Sequence, residues 1–416
     1  MPPSAYGRTL DGDALAPERT RETVTGPSTA AVEAGPRQRC GHRSAPRTTA
    51  EAEDEAYLGR QLVTCLGNKR AFARQLEWAV ADVRRRLGGR RLSAVDLFAG
   101  SGFVSRVLKR HADRLVANDL EEYAVQIGRC FLADRDKVPF GRLRQIVDTL
   151  NAAADAGGSR PGFIQELYAP ADDRDVQAGE RAFYTRDNGR RLDFFAQELQ
   201  DLEPAIRPLL LGPLLSEASI HANTSGVFKG FHKDKQTGVG KFGGGGGDAL
   251  GRILQPIRLE VPVLSAFTGE WTVHQRDANV LVRELPEHDL VYLDPPYNQH
   301  PYGSNYFMLN LIATYRRPRE ISAVSGIPTD WNRSGYNVRK RSLPLLADLI
   351  EHAPARFVLL SFNAEGFVPI EELRALLAGH GRVGEVVVPY RTFRGSRNLR
   401  SRRLDVDEHL FLLERR

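Results

Sequence analysis

Cysteine is scarce in this chain: Cys40, Cys65 and Cys130 are the three among 416 residues. They make neither a metal-binding spacing nor an even disulfide set, which points to a reducing cytoplasm. Long apolar runs are missing as well, since no stretch approaches the ~20 residues that span a bilayer, and no membrane partner is expected. The N-terminal residues lack the apolar core of a signal peptide. Large apolar side chains are few and any helical or alternating period is absent in residues 1–52, which read as a disordered tail. There is no internal repeat, and the single low-complexity run, Gly243 to Gly247, reads as a flexible loop tip. What remains is a basic chain, net charge +6 with a pI near 9.2, long enough for one large or two modest domains. That balance favours a polyanionic partner.

The most informative segment is Asp294-Pro295-Pro296-Tyr297, which closes the apolar run Leu290 to Leu293. Such a run reads as a buried strand, and open α/β sheets carry their chemistry at strand carboxyl ends. Two prolines remove two backbone donors and fix two φ angles, so the chain turns and presents a carboxylate beside a ring. A planar amine suits that pair, its hydrogens going to the carboxylate and a free carbonyl while the ring covers its face. The bland alternative is an ordinary strand-end turn.

Earlier, Leu92 to Leu97 reads as a strand that runs into Phe98-Ala99-Gly100-Ser101-Gly102 and then a helical pattern through Val104, Val107 and Leu108. Glycines there allow a tight turn and close backbone approach to a nucleotide-type cofactor. A second strand, Arg114 to Ala117, ends at Asn118-Asp119, where an acid accepts from ribose hydroxyls. A structural turn with a surface acid reads equally well for this segment alone. Ser105 and Arg106 stand where a dinucleotide fingerprint needs its third glycine, so a single-nucleoside cofactor such as S-adenosylmethionine fits better than NAD. Upstream, Cys65-Leu66-Gly67-Asn68-Lys69-Arg70 precedes a helix with Phe72, Leu76, Ala79, Val83 and Leu87 on one face. Lys69 offers a charge for a cofactor carboxylate, although alone the segment reads better as a helix cap with a solvated lysine.

Residues 131–261 leave the α/β rhythm and are expected to be mainly helical, with faces at Leu192, Phe195, Leu199 and Leu202 and across Ile206 to Ile220. Within them His221 to Lys235 interleaves amides, aromatics and lysines. Asn223 could read an adenine edge and Lys229 and Lys233 could hold phosphates; a solvated loop anchored by two phenylalanines is the alternative. Arg391, Arg394, Arg397 and Arg400 crowd a late basic segment; such a run is usually a solvated face, and its place in a basic chain keeps phosphate contact as the other reading.

Taken in order, these motifs resemble the DNA adenine methylase (Dam-like) family, the alpha class of amino-methyltransferases. A Gly-Asn-Lys motif at 67 to 69, Phe-x-Gly-x-Gly at 98 to 102, an acid at 119, a gap and Asp-Pro-Pro-Tyr at 294 to 297 follow the family's arrangement. Phe357 to Asn363 resembles its Ser-Asn strand, and Tyr390 to Asn398 with Glu408 to Leu413 its basic hairpin and last strand. The resemblance covers about residues 53–416. It implies an α/β, Rossmann-like, S-adenosylmethionine-dependent methyltransferase domain in two parts, 53–130 and 262–416, around an inserted target-recognition subdomain at 131–261. It further implies adenine-N6 methylation of double-stranded DNA by base flipping, with no metal, in a monomer or weak dimer associated with the nucleoid. Whether a cognate restriction endonuclease accompanies the chain stays open.

Under the resemblance Asp294, Pro295, Pro296 and Tyr297 are catalytic. Cys65, Lys69, Phe98, Gly100, Gly102, Asp119 and Asp294 hold the cofactor, and Asn223, Lys229, Lys233 and the four arginines meet DNA. The family usually has an aromatic where Cys65 stands, which leaves Leu66 or Tyr57 to supply an apolar face. Serine in place of Asp294 would have suggested cytosine-N4 chemistry. RNA or protein amino-methylation, or a non-catalytic DNA-binding partner subunit, are the rival functions. The inserted subdomain and front-placed Gly-Asn-Lys argue against the former, and the intact motif residues against the latter.

Overall fold

The computed structural model describes residues 53–67, 69–244, 247, 249–391 and 405–416, the side chains of 390, 391 and 405 excepted. Its frame is a seven-stranded sheet ordered β3-β2-β1-β4-β5-β7-β6. These strands are β1 Leu92–Asp96, β2 Ala112–Asp119, β3 Glu270–Gln275, β4 His288–Leu293, β5 Ala355–Asn363, β6 Gly381–Arg391 and β7 Asp405–Arg415. All pair in parallel except β7, which runs antiparallel between β5 and β6. The apolar runs read from the sequence as strands are the central ones, as expected where helices cover both faces of a parallel sheet.

Side-chain alternation divides the core in two. Ala94, Leu290 and Tyr292 face α1 (Ala73–Arg86) and α2 (Phe103–His111), meeting Leu76, Ala79, Val83, Val104 and Val107. Val95, Val291 and Leu293 face the opposite way, against Leu346, Leu349, Ile350, Leu373 and Leu377. A period of two along each strand produces this split.

Between β2 and β3 the longer helices are α3 (Glu122–Phe131), α4 (Phe140–Asp155), α5 (Arg186–Gln200) and α6 (Arg207–Ile220), and no strand occurs among the described residues of 131–261. The expected apolar face is buried at Leu192, Phe195 and Leu199. These residues share one cluster with Tyr123 and Ile127 of α3 and with Phe307, Met308 and Ile312 of α7 (Phe307–Thr314).

The chain builds outward from β1 through β2 to β3, then crosses back to lay β4 on the other side of β1. That reversal opens a crevice at the carboxyl ends of β1 and β4. Both candidate motifs emerge there.

Candidate functional site

A cleft of about 950 Å³, its open mouth included, lies at these strand ends and is lined by Cys65, Gly67, Lys69, Phe98, Gly100, Asp119 and Asp294, among others. The glycine turn after β1 needs left-handed backbone at Gly100 (φ 51°) and Gly102 (φ 75°). Asp119 fastens it: Oδ2 accepts from the Gly100 amide at 2.8 Å and Oδ1 from the Glu121 amide at 2.9 Å. Burial raises the Asp119 carboxyl above its ordinary range against the pull of these amides. Ser105 and Arg106 turn away into the protein. The Ser105 hydroxyl donates to Asp96 Oδ2 (2.6 Å), and the buried Arg106 donates to the carbonyls of Tyr57, Arg60 and Gln61.

Asp294 is held by the lysine expected to serve the cofactor. Lys69, 3% exposed, places Nζ 2.8 Å from Asp294 Oδ2, 3.1 Å from Glu408 Oε1 and 2.9 Å from the Gly67 carbonyl. An ammonium has three donors, and these three oxygens use them. The expectation that Lys69 pairs a cofactor carboxylate is therefore corrected, although the residue does border the cleft. Oδ1 of Asp294 accepts no hydrogen bond from the described residues. Burial, and then the Glu408 charge against the opposing pull of Lys69, raises the Asp294 carboxyl to about 6.

Tyr297 and Pro295 lie outside the wall of this cleft, while Pro296 is part of it. The Tyr297 carbonyl accepts from the Phe367 amide at 2.7 Å, and its ring meets Phe362 edge-on at 5.9 Å. Gly67, at φ 74°, is where these pieces converge. A Cβ there would stand 3.2 Å from the Tyr302 hydroxyl and 3.5 Å from that of Tyr297. The Gly67 turn is also tied to the loop after Tyr297: Tyr302 Oη donates to the Leu66 carbonyl (2.8 Å), and the Leu66 amide donates to Tyr306 Oη (2.6 Å).

Cys65 lies on the wall, its thiol pushed up to about 12 by burial, so it stands there as a neutral apolar group. Leu66, 44% exposed, shares that wall. Tyr57 does not: it is fully buried, with its hydroxyl on the Phe131 carbonyl, so the alternative of Tyr57 as an apolar face for the cofactor is corrected.

Several cleft residues escaped the sequence reading: Glu121, Asp277, Asn332 and Tyr336. Asp277 caps a short helix through the Asn279 and Val280 amides, a start signal readable from Asp-Ala-Asn but without any hint of a cleft. Tyr336 meets Phe98 edge-on at 5.4 Å, and Asn332 donates to Glu121 Oε2 at 3.2 Å. Nothing local in the sequence ties 332–336 to the glycine turn.

Of the residues expected at DNA, Asn223 is corrected outright. It is fully buried, its Nδ2 donates to the carbonyls of Ala182 (2.8 Å) and Lys241 (3.2 Å), and its Oδ1 accepts from the Gly243 amide (3.2 Å). A side chain so occupied braces the loop and reads no base. Phe228 and Phe231 are buried anchors, whereas Lys229 and Lys233 are exposed. The Phe228 amide donates to the Asn305 carbonyl at 2.7 Å, which sets this loop against the one following Tyr297. The side chain of Arg391 and all of Arg394, Arg397 and Arg400 lie outside the described residues.

Comparison with known proteins agrees with this geometry. A model of the D12 class N6 adenine-specific DNA methyltransferases matches residues 66–338. The type II methyltransferase M.NlaIII of Neisseria lactamica is 27% identical over 364 residues, 84% of this chain and 98% of that protein. The type II methyltransferase M.CviAII of Paramecium bursaria Chlorella virus 1 is 26% identical over 344 residues, 81% of this chain and 94% of that protein. The modification methylase StsI of Streptococcus sanguinis is 25% identical over 341 residues, 77% of this chain and 48% of that protein.

Proposed function

The chain belongs to the D12 class N6 adenine-specific DNA methyltransferase family, and from that footing we propose how its residues methylate adenine N6 in double-stranded DNA. The RNA and protein alternatives fall away with the family. The observation that carries the mechanism is the carboxylate after β4: Asp294 has one oxygen pinned by Lys69 and the other without a partner among the described residues, on the wall of the switch-point cleft.

The cleft fits S-adenosylmethionine. It combines a left-handed Gly100, where backbone can approach a ligand closely, with the carboxylate of Asp119 for a ribose diol and the apolar Leu97, Phe98 and Ala278 for a base. Phe98, Gly100, Asp119 and Cys65 would hold it, with Asp294 at its reactive end, while Gly102, off the cleft wall, shapes the turn from behind against Ile127. When bound, the cofactor supplies an electrophilic methyl group.

Reaching the target nitrogen requires extruding the adenine, at a cost of a few kcal/mol. Stacking on Tyr297 offsets about 0.5–1.5 kcal/mol of it. Asp294 Oδ1 and the Pro295 carbonyl accept the two amino hydrogens, Pro296 keeping the turn rigid. So held, the amine lone pair would be drawn out of conjugation with the ring and directed at the transferable methyl; as the nitrogen–carbon bond forms, the methyl–sulfur bond would break with its electron pair staying on sulfur, and nitrogen would shed one proton to water. Positioning and charge placement supply the rate, without a covalent enzyme intermediate.

The helical block 131–261, inserted between the parts 53–130 and 262–416, is assigned target recognition. Lys229 and Lys233 meet phosphates there, as do Arg391, Arg394, Arg397 and Arg400. Because the relatives are named type II methyltransferases and a modification methylase, this chain is assigned to a modification system in the cytoplasm, as a monomer or weak dimer, and whether a cognate endonuclease accompanies it stays open. Expression in a methylation-free host, followed by sequencing that detects N6-methyladenine, tests the reading. Wild-type should mark one motif and Asp294→Ala none; a variant keeping more than about a tenth of wild-type turnover, a loss under ~1.4 kcal/mol, would remove Asp294 from its role.

A further inference from the structure

The last antiparallel strand carries a carboxylate to which nothing above gives a role. Glu408 lies on β7 opposite Asn363 of β5 and is 3% exposed. Its Oε1 accepts from the Ser361 hydroxyl at 2.8 Å and stands 3.1 Å from Lys69 Nζ; its Oε2 accepts from Asn363 Nδ2 at 3.2 Å. Lys69 in turn holds Asp294 Oδ2 at 2.8 Å. A continuous polar relay thus runs from β5 through β7 to the residue that meets the amine.

Stability alone does not account for this arrangement. Burying two carboxylates and an ammonium carries a desolvation cost that mutual attraction only partly returns, and a well-packed apolar cluster is commonly as stable or more so. The relay does two things an apolar cluster cannot. It gives the Lys69 ammonium a third fixed acceptor, which sets where Asp294 Oδ2 is held and so where Oδ1 points. It also changes the charge at the site. Lys69 with Asp294 alone would be a neutral pair, whereas Lys69 with Asp294 and Glu408 carries a net charge of −1 when both acids are ionised. Nitrogen becomes positive as the methyl arrives, and a net negative group in a buried site stabilises that state more than a neutral pair does.

We propose that Glu408 is a positioning residue for methyl transfer, acting through Lys69 to orient Asp294 and to leave the triad negatively charged as the amine becomes cationic. The proposal rests on the assignment of Asp294 as the amine acceptor. The groups acting on Asp294 are Lys69 from the segment before α1, Asp96 from β1, Tyr292 from β4, Tyr302 from the following loop, and Glu408 from β7. Burial and Glu408 push its proton affinity up while Lys69 pulls it down. Removing the Glu408 charge therefore makes Asp294 easier to ionise and at the same time weakens the site.

The test uses full-length protein, S-adenosylmethionine and a duplex bearing the methylated motif. Glu408→Gln should lower the single-turnover rate about tenfold or more, with cofactor and DNA dissociation constants held within about twofold. Its acid limb should move to lower pH, whereas Glu408→Asp, which keeps the charge, should leave the limb at the wild-type position. Loss of rate with an unmoved limb in Glu408→Gln would mean a merely structural role, and a wild-type rate would overturn the proposal directly. Should Glu408→Gln fail to fold, Glu408→Asp and Ser361→Ala decide: slowed single turnover with unchanged affinities supports the relay, and wild-type rates in both overturn it. Asp294→Asn is the control for the underlying assignment. If that variant stays active the assignment fails whatever Glu408 does; if it is inactive while Glu408→Gln is normal, only the relay fails.

Discussion

Methyl transfer by this enzyme should fail in acid at a pH that an ordinary aspartate would not explain. Burial, reinforced by Glu408 and opposed by Lys69, raises Asp294 from 3.8 to about 6. Accepting an amino hydrogen requires the ionised form. A raised carboxyl is ionised above its midpoint and protonated below it, so activity is present at neutral pH and lost as pH falls through about 6. One unit below the midpoint about a tenth of the sites stay ionised, so the single-turnover rate at pH 5 should be about a tenth of its plateau, a barrier increase of ~1.4 kcal/mol. An aspartate at 3.8 would keep more than about nine-tenths there. Two other acids titrate nearby: burial lifts Asp96 and Glu121 each to about 7. Asp96 lies fully buried beneath the glycine turn on Ser105, but Glu121 borders the cleft, held by Asn310 at 2.5 Å and Asn332 at 3.2 Å. The assay is rapid-quench methyl transfer from preformed ternary complex between pH 5 and 8, on wild-type and Glu121→Gln, with a melting curve at each pH to confirm folding. A rate that stays flat to pH 5, or a limb that disappears with Glu121→Gln, would refute the assignment to Asp294.

Asp119→Ala should weaken S-adenosylmethionine binding and, because Gly100 and Glu121 lose an amide acceptor, lower stability by about 1–3 kcal/mol; unchanged affinity by calorimetry would remove Asp119 from the cofactor site. Gly102→Ala sets a side chain at φ 75° with its Cβ 2.9 Å from Ile127 Cγ2, so it should cost at least about 1–2 kcal/mol of stability. A melting temperature equal to wild-type would contradict that turn geometry. Replacing Lys229 and Lys233 together by Ala should weaken DNA binding equally for all sequences and flatten its salt dependence by about 1–2 units of slope. An undiminished slope would return the loop to a solvated surface.

Strands β1, β2 and β4 were legible because parallel strands covered on both faces read as continuous apolar runs, as Leu290 to Leu293 does; β3, exposed and half-buried by turns, carries no such run and was not read. The same holds for the glycine turn, since positive φ at Gly100 and Gly102 is a local demand met by a local residue type. Long-range occupancy was not legible. Asn223 looks like a base reader in a row of amides and lysines, yet its three hydrogen bonds go to residues 18 to 41 positions away. Lys69 looks like an anion binder at a glycine turn, but its partners include a residue on the last strand. Asn332 and Tyr336 reach the cleft only because the chain folds back over Phe98.

The antiparallel insertion of β7 between β5 and β6 has a consequence beyond closing the sheet. Side chains on a strand alternate in direction, so Glu408 and Leu410 share one face while His409 and Phe411 take the other. The face that buries Leu410 with Ala94, Leu290 and Tyr292 is the one α1 covers, and Lys69 lies just before that helix. A one-residue slip of β7 against β5 would keep most of the apolar pairing but turn Glu408 away from Lys69. The register that pairs Leu359 with Leu412 and Asn363 with Glu408 thus carries information the apolar core alone does not need. It places the carboxylate of the last strand against the lysine of the first motif, and through it against the aspartate that meets the amine.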